Sequence, residues 1–385
     1  MSTHTQARKT VYESVDAVIA ALKPSYPIYC VYPDRLRTAA RRFLDNFQGN
    51  VLFAVKCNPE PLIIDTLYAA GLRHFDTASL AEIALISERY PDAKSYFQNP
   101  VKSPAAIEAA YRVYGVRDFV LDHPRELTKL IECTHGARDV VAYVRIATPP
   151  GSATYDLSSK FGVMPDRAPE LLRAVADAGF QPAISFHVGS QCLRPDDYTD
   201  ALALIEPILA KAKVSIVALD VGGGFPGHYR NVNAPPLDYF FQAIKDGVHA
   251  LRLDPEPILL CEPGRALVVE AISVIVQVLL RKEDRLYIND GIFGSFSEFL
   301  FERIEYPARV IRAHAPSDAL PIPFAIFGPT CDSNDKFPVA VMLPGDIREG
   351  DWIVFGMLGA YSNAVRTHFN GFYPETFVEI HEAGR

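Results

Sequence analysis

Between residues 50 and 265 a strand-like and a helix-like pattern alternate eight times, a rhythm that few folds accept. Short runs rich in β-branched or aromatic residues recur at 51–56, 74–79, 95–100, 118–123, 140–146, 183–189, 216–222 and 257–262. Helical periodicity fills the gaps, for instance at 80–90, 104–114, 124–134, 167–178 and 195–213. Such alternation specifies parallel strands joined by right-handed crossovers. Eight units with no sign of a reversal in strand order favour a closed (β/α)8 barrel, a TIM barrel, over an open sheet.

After residue 266 the texture changes. Short strands are expected at 273–279, 285–289, 308–312, 324–328, 352–355 and 376–381, separated by turns such as Pro344-Gly345-Asp346. This reads as a second, mostly β domain, with 28–31 pairing into its sheet. The expected division is an N-terminal segment over 1–34 packing with the β domain, a barrel over 35–268 and the β domain over 269–385. A chain of 385 residues has room for one large unit and a smaller one.

Charge and cysteines exclude several classes. The net charge of −8 gives no reason to expect a nucleic acid or an acidic membrane surface as partner. The six cysteines, Cys30, Cys57, Cys133, Cys192, Cys261 and Cys331, contain no CxxC pair, which argues against a zinc site or a disulfide framework. Reduced thiols in a cytoplasmic protein account for them most simply. The polar N-terminus lacks the apolar run of a secretory signal. The longest apolar run, 266–280, contains Glu270 and Gln277 and is too short and too polar to span a bilayer.

The chemistry of such barrels sits at the C-terminal ends of their strands. Polar residues stand there in nearly every unit. Lys56 ends the apolar run Val51-Leu52-Phe53-Ala54-Val55. Burial disfavours its charge and is expected to lower its pKa, making it a nucleophile of the kind that forms Schiff bases. The plainer alternative is a lysine whose head group snorkels to water. Asp76 and Ser79, Asn99, Asp122 and His123, Arg145, His187 and Ser190, and Glu262 follow on other strands. The run Gly222-Gly223-Gly224 lets backbone amides approach an anion closely. With Gly264-Arg265 after the eighth strand, it matches the usual phosphate corner of these barrels. Each feature alone carries little weight; their common placement on one rim carries more. A lysine, a phosphate cradle and carboxylates together suit pyridoxal 5′-phosphate (PLP), whose enzymes need a lysine and a partner for the pyridinium nitrogen.

The motifs Ala54-Val55-Lys56-Cys57-Asn58, Phe75-Asp76-Thr77-Ala78-Ser79, His187-Val188-Gly189-Ser190-Gln191, Gly222-Gly223-Gly224-Phe225, Cys261-Glu262-Pro263-Gly264-Arg265, Gly328-Pro329-Thr330-Cys331-Asp332 and Phe369-Asn370-Gly371-Phe372 carry a resemblance. Over about 27–373 the chain resembles the PLP-dependent decarboxylases of the alanine-racemase fold, fold type III. Among them it is most similar to the ornithine decarboxylase branch. The resemblance implies a PLP-binding (β/α)8 barrel followed by a β domain of sandwich or Greek-key barrel type. It implies that Lys56 carries PLP and that Glu262 pairs with the pyridine nitrogen. Alanine racemases place an arginine there, so Glu262 favours decarboxylation over racemisation. His187 would stack on the ring. Ser190, Gly223, Gly224, Gly264, Arg265 and Tyr361 would hold the phosphate, and Asp76 and Arg145 would orient the lysine and the carboxylates, with Glu82 behind them.

The resemblance also implies a homodimer with shared sites. Cys331 would return a proton to the substrate Cα, and Asp332 would receive the distal amine, both from the second subunit. Phe369 would border the substrate, and Lys160 and Asp335 match a pair that bridges the subunits. In the family a second acidic residue follows an aromatic one about a dozen positions after Asn-Asp-Gly. Here Asn289-Asp290-Gly291 leads to Phe301-Glu302, so a glutamate stands where an aspartate is usual. Its extra methylene is expected to tune the accepted chain length toward ornithine or shorter. The implied reaction is L-ornithine to putrescine and CO2, in polyamine biosynthesis. Decarboxylation of lysine or another diamino acid, shorter-chain or D-, is the alternative; Asp332 argues against meso-diaminopimelate, whose enzymes carry Cys-Glu. A catalytically inactive regulatory relative is the non-enzyme alternative, and the retained Lys56, phosphate residues and Cys331 argue against it.

Overall fold

In a computed structural model, which describes residues 11–149, 151–154, 160–301, 303–312 and 318–382, eight parallel strands close into one barrel. They are Asn50–Ala54, His74–Thr77, Lys94–Phe97, Asp118–Leu121, Val141–Arg145, Gln181–Ser185, Ala218–Asp220 and Ile258–Cys261. Leu260 and Cys261 of the last pair with Asn50 and Val51 of the first. Strand side chains alternate between two faces. Leu52, Tyr96, Val120, Tyr143, Ala183, Ala218 and Leu260 therefore fill the interior, while Phe53, Phe75, Phe119, Val144 and Ile184 face the helices. Phe53, Phe75 and Phe119 are fully buried, each contributing about 1.5–3 kcal/mol relative to an exposed ring.

Most of the strands end earlier than their sequence runs. The polar residue after each apolar run leaves the ladder and enters the loop that carries chemistry in this architecture. Lys56 thus sits in a 3-10 turn, Val55–Cys57, directly after its strand. Several rim residues close helices instead. Ser79 Oγ accepts from Glu82 N, and the Glu82 carboxylate accepts from Ala78 N at 2.7 Å, a reciprocal capping pair. His123 Nδ1 accepts from Arg125 N at the head of Pro124–Thr134. The stretch expected as one helix over 195–213 is two, Asp196–Ala203 and Ile205–Ala212. Pro207 lacks the N–H that would bond Ala203 O, so a continuous helix breaks just before it.

The C-terminal part is a nine-stranded mixed sheet. Its main path runs Val11–Tyr12, Thr376–Ile380, Ile28–Val31, Ile272–Lys282, Arg285–Ile288, Pro321–Phe327 and Val341–Pro344. Trp352–Phe355 pairs with the long strand Ile272–Lys282, and Ala308–Ile311 pairs with Trp352–Phe355. Ile28–Val31 joins this sheet as expected, antiparallel to Ile272–Lys282 and parallel to Thr376–Ile380. Val11–Tyr12 and Val341–Pro344 were not anticipated, being too short for period-2 alternation to show.

The loop after Trp352–Phe355 docks on the barrel rim beside Lys56. Tyr361 N donates to Cys57 O at 2.9 Å, and Asn58 Nδ2 donates to Gly359 O at 2.8 Å. The approach is so close that a Cβ on Gly359 would stand 1.6 Å from Val268 O, so glycine is required there.

Candidate active site

A cavity of about 340 Å3 opens at the C-terminal face of the barrel. All eleven residues expected around the cofactor line it: Lys56, Asp76, Arg145, His187, Ser190, Gly223, Gly224, Glu262, Gly264, Arg265 and Tyr361. A larger cleft of about 620 Å3 lies elsewhere, between Arg35, Arg42 and His228, and contains none of them.

Lys56 Nζ donates to Asp76 Oδ2 at 2.6 Å. Its side chain is 43% exposed because it borders the cavity, whereas Asp76 is buried. The expected lowering of the lysine pKa is not what the surroundings produce. Burial is the largest influence and does lower it, but Asp76, Glu262 and Tyr361 together outweigh burial and raise it. Lys56 is therefore held as an ammonium, hydrogen-bonded to the Asp76 carboxylate. Sequence reasoning counted the desolvation and missed the acidic neighbours that the fold brings in from other strands.

Glu262, at the end of the eighth strand, is pushed well above the usual carboxylate range by burial and then by Asp220. Asp220 is itself raised to about 6, mainly by burial, and the two carboxyls share a hydrogen bond. One proton held between them is the natural state of such a pair. Asp220 also accepts from Gly222 N at 2.8 Å and from Gln98 Nε2 at 3.2 Å. Neither Asp220 nor Gln98 was singled out from the sequence. Asp220 was visible as the polar residue ending the seventh strand; Gln98 offered no signal beyond its place on the third.

His187 is pushed well below its ordinary pKa by burial, then by Arg145 and Lys56. Gly189 N donates to its Nδ1 at 3.0 Å, so the neutral ring carries its proton on Nε2. The glycine run beside it is shaped by close approach. A Cβ on Gly223 would stand 2.7 Å from Glu262 O and 3.0 Å from His187 Nε2. Gly224, at φ +112°, would meet Gly189 O at 2.6 Å. Tyr198 donates to Gly223 O at 2.7 Å and fixes the run from behind.

Arg265 is buried and already engaged. Nη2 donates to Glu298 Oε1 at 2.6 Å, and Nη1 donates to Glu298 Oε2 at 2.9 Å and to Tyr229 Oη at 2.6 Å. Its guanidinium carbon lies 5.2 Å from the Tyr361 ring centroid. Glu298 and Tyr229 had no local signature in the sequence.

Cys331, Asp332 and Phe369, expected at the substrate, do not line this cavity. Cys331 is exposed, and its backbone N donates to Asn370 Oδ1 at 3.1 Å. Asp332 accepts from Asn334 N at 2.8 Å. Phe369 is partly exposed and packs 5.1 Å from Phe293. Glu302 lies outside the described residues. Lys160 lines the cavity, its Nζ 5.0 Å from the Phe161 ring.

Asp335 is a correction. The resemblance pairs it with Lys160 across the subunits, yet within one chain it is 2% exposed. Its carboxylate accepts from Ile292 N at 2.9 Å, Thr330 N at 3.0 Å and Thr330 Oγ1 at 2.7 Å, all in its own chain. It ties the turn bearing Cys331 to the β domain.

The donor set fits PLP. Among the described residues nothing donates to the buried Asp76 Oδ1, a costly state that a donor on a bound cofactor would relieve. The glycine cradle leaves no room for side chains where a phosphate would lie against backbone. A parallel barrel with these groups at its C-terminal mouth defines a PLP enzyme of the barrel class.

Comparison with known proteins extends this. A family model described as pyridoxal-dependent decarboxylase, pyridoxal binding domain, matches residues 34–269. The chain is 34% identical to the lysine/ornithine decarboxylase of Selenomonas ruminantium over 335 residues, 85% of this chain and 82% of that protein. It is 32% identical to the ornithine decarboxylase of Panagrellus redivivus over 355 residues, 86% and 80% of the two chains. A mutant of the Selenomonas ruminantium lysine decarboxylase, solved in complex with PLP, matches with a TM-score of 0.83 at 30% identity and covers 96% of both chains. The chain belongs to the pyridoxal-dependent decarboxylases: it is a PLP-dependent carboxy-lyase.

Proposed function

We propose that this enzyme decarboxylates a basic amino acid, L-ornithine in first place, releasing CO2 and putrescine for polyamine biosynthesis. The observation that carries the reading is the division of the expected residues. Lys56, Glu262 and His187 share one cavity. Cys331 and Asp332 stand together outside it on one turn, with the Cys331 side chain exposed. A thiol and a carboxylate presented side by side suit a proton donor and a receptor for a distal ammonium. They serve the cavity if a second copy of the chain supplies them, so the working form is a homodimer with shared sites. The exposed rings of Phe369 and Phe372 flank Asn370, the residue bonded to Cys331, and support an interface there.

When bound, PLP supplies the electron sink that accepts the electrons left behind by CO2. The chain's own residues do the rest. Asp76 orients Lys56 Nζ through the hydrogen bond it accepts. Glu262 and Asp220 keep a proton at the cavity wall for the ring nitrogen. His187, neutral, offers a flat face without adding charge. Ser190, Gly223, Gly224, Gly264, Arg265 and Tyr361 seat the phosphate. The partner's thiol at position 331 returns a proton to Cα, and the Asp332 carboxylate holds the far ammonium.

A second reading, turnover of both lysine and ornithine, is favoured by the name of the Selenomonas relative. We place the protein in the cytoplasm on its six free thiols; no described helix is long and apolar enough to cross a membrane.

The test is amine product by mass spectrometry. PLP-loaded protein is incubated separately with L-ornithine, D-ornithine, L-lysine, L-arginine, 2,4-diaminobutyrate and meso-diaminopimelate. Putrescine from L-ornithine should dominate. Comparable cadaverine moves the assignment to the dual reading, and dominance of any other amine overturns it.

A further inference from the structure

The Arg265–Glu298 pair joins the two halves of the molecule behind the cavity. Arg265 follows the eighth barrel strand, and Glu298 lies in the 3-10 turn Ser297–Leu300 of the C-terminal part. Both side chains are at most 5% exposed. Three guanidinium N–H bonds go to Glu298 and Tyr229. The turn bearing Glu298 is itself fixed. Ser297 Oγ donates to Tyr361 O at 3.1 Å, and Phe299 packs against Tyr306 and Phe337 with centroids 5.2 and 4.6 Å away. Glu298 is thus a rigid buried anion held against the one arginine expected at the phosphate.

A buried guanidinium stripped of its counter-ion is strongly destabilising, although a buried pair in itself adds little. A phosphate bound in the Gly224–Gly264 corner brings a second anion to the same cation. We propose that Glu298 is a positioning residue, the resident counter-ion of Arg265, which builds the phosphate corner before the cofactor enters and moderates how tightly the phosphate is held. This rests on the reading of Arg265 as a phosphate residue. Glu298 acts in two ways. It holds the guanidinium in one orientation, and it cancels part of the charge that the phosphate would otherwise feel.

The test compares thermal unfolding of the full-length protein saturated with PLP and with pyridoxal, which lacks the phosphate. Ligand stabilisation follows affinity, so the gap between the two Tm values reports the phosphate contribution. In the parent, PLP should give the higher Tm. In Glu298→Gln both Tm values should fall and the gap should widen, because phosphate now supplies the counter-charge that glutamate provided. Glu298→Asp keeps the charge at shorter reach, and its gap should lie between those of the parent and Glu298→Gln. A gap in Glu298→Gln that matches or falls below the parent's overturns the proposal. Should that variant fail to fold, an Asp variant with the parent's gap overturns it equally. No gap in the parent itself would instead remove the phosphate reading of Arg265.

Discussion

Lys56 keeps its proton because of where its neighbours come from. Asp76 comes from the adjacent second strand, Glu262 is brought in by barrel closure and Tyr361 by the docking of the C-terminal part on the rim. Parallel pairing of the seventh and eighth strands, with Leu260 opposite Asp220, brings Asp220 and Glu262 together. Asp220 carries a pH prediction. Its carboxyl is raised to about 6 from an ordinary 3.8, chiefly by burial. Between those values the folded state holds a proton that the unfolded chain releases, so its contribution to stability falls as pH rises through this window and the full cost is present above about 6. Asp220→Asn removes that cost. Relative to the parent, the variant should gain on the order of 1–3 kcal/mol between about pH 4 and pH 7. Urea unfolding at both pH values checks this; a constant difference between the two proteins would refute it.

At the scale of elements, the loop after the third barrel strand is organised by one buried cation. Lys102 is 5% exposed and donates to Asn99 O at 2.9 Å, Pro100 O at 3.2 Å and Val120 O at 2.5 Å. Asn99 and Pro100 line the cavity, so this clamp shapes its wall. Burial lowers the Lys102 pKa to about 8, only partly opposed by Glu126. Lys102→Met leaves buried carbonyls unpaired and should cost about 2–4 kcal/mol. From about pH 8 to 10.5 the unfolded lysine still binds a proton that the folded one has lost, so the parent gains stability there and the variant does not. The variant's deficit should therefore be larger at about pH 9.5 than at about pH 7.5. A deficit independent of pH in denaturant titrations would assign Lys102 a purely steric role.

At the scale of the molecule, the cavity and the Cys331 turn lie apart in one chain, and the proposed dimer unites them. Coexpression of Lys56→Ala with Cys331→Ala tests that arrangement. Each variant alone should be nearly inactive toward the normal product. Random pairing makes half the dimers mixed, each with one intact site, so activity should return to roughly a quarter of the parent's. No recovery, with mixed dimers verified by differential tags, would place each site within a single chain.

The eight barrel strands, their order and the rim that carries Lys56, His187, the glycine run and Glu262 are legible in the amino-acid sequence. They rest on local properties: period-2 and helical alternation, strand-ending polar residues and turn chemistry, each readable within a few residues. The set of eleven cofactor-site positions, Tyr361 among them, was implied by the family resemblance that such motifs carry. What needed the tertiary structure was everything set by groups far apart in the chain. The charge of Lys56, the shared proton of Asp220 and Glu262, the pairing of Arg265 with Glu298 and the inward turn of Asp335 each depend on burial and on partners from distant parts of the chain. Electrostatic energies of buried groups are sums over such neighbours, and a linear pattern carries no record of which neighbours the fold will supply.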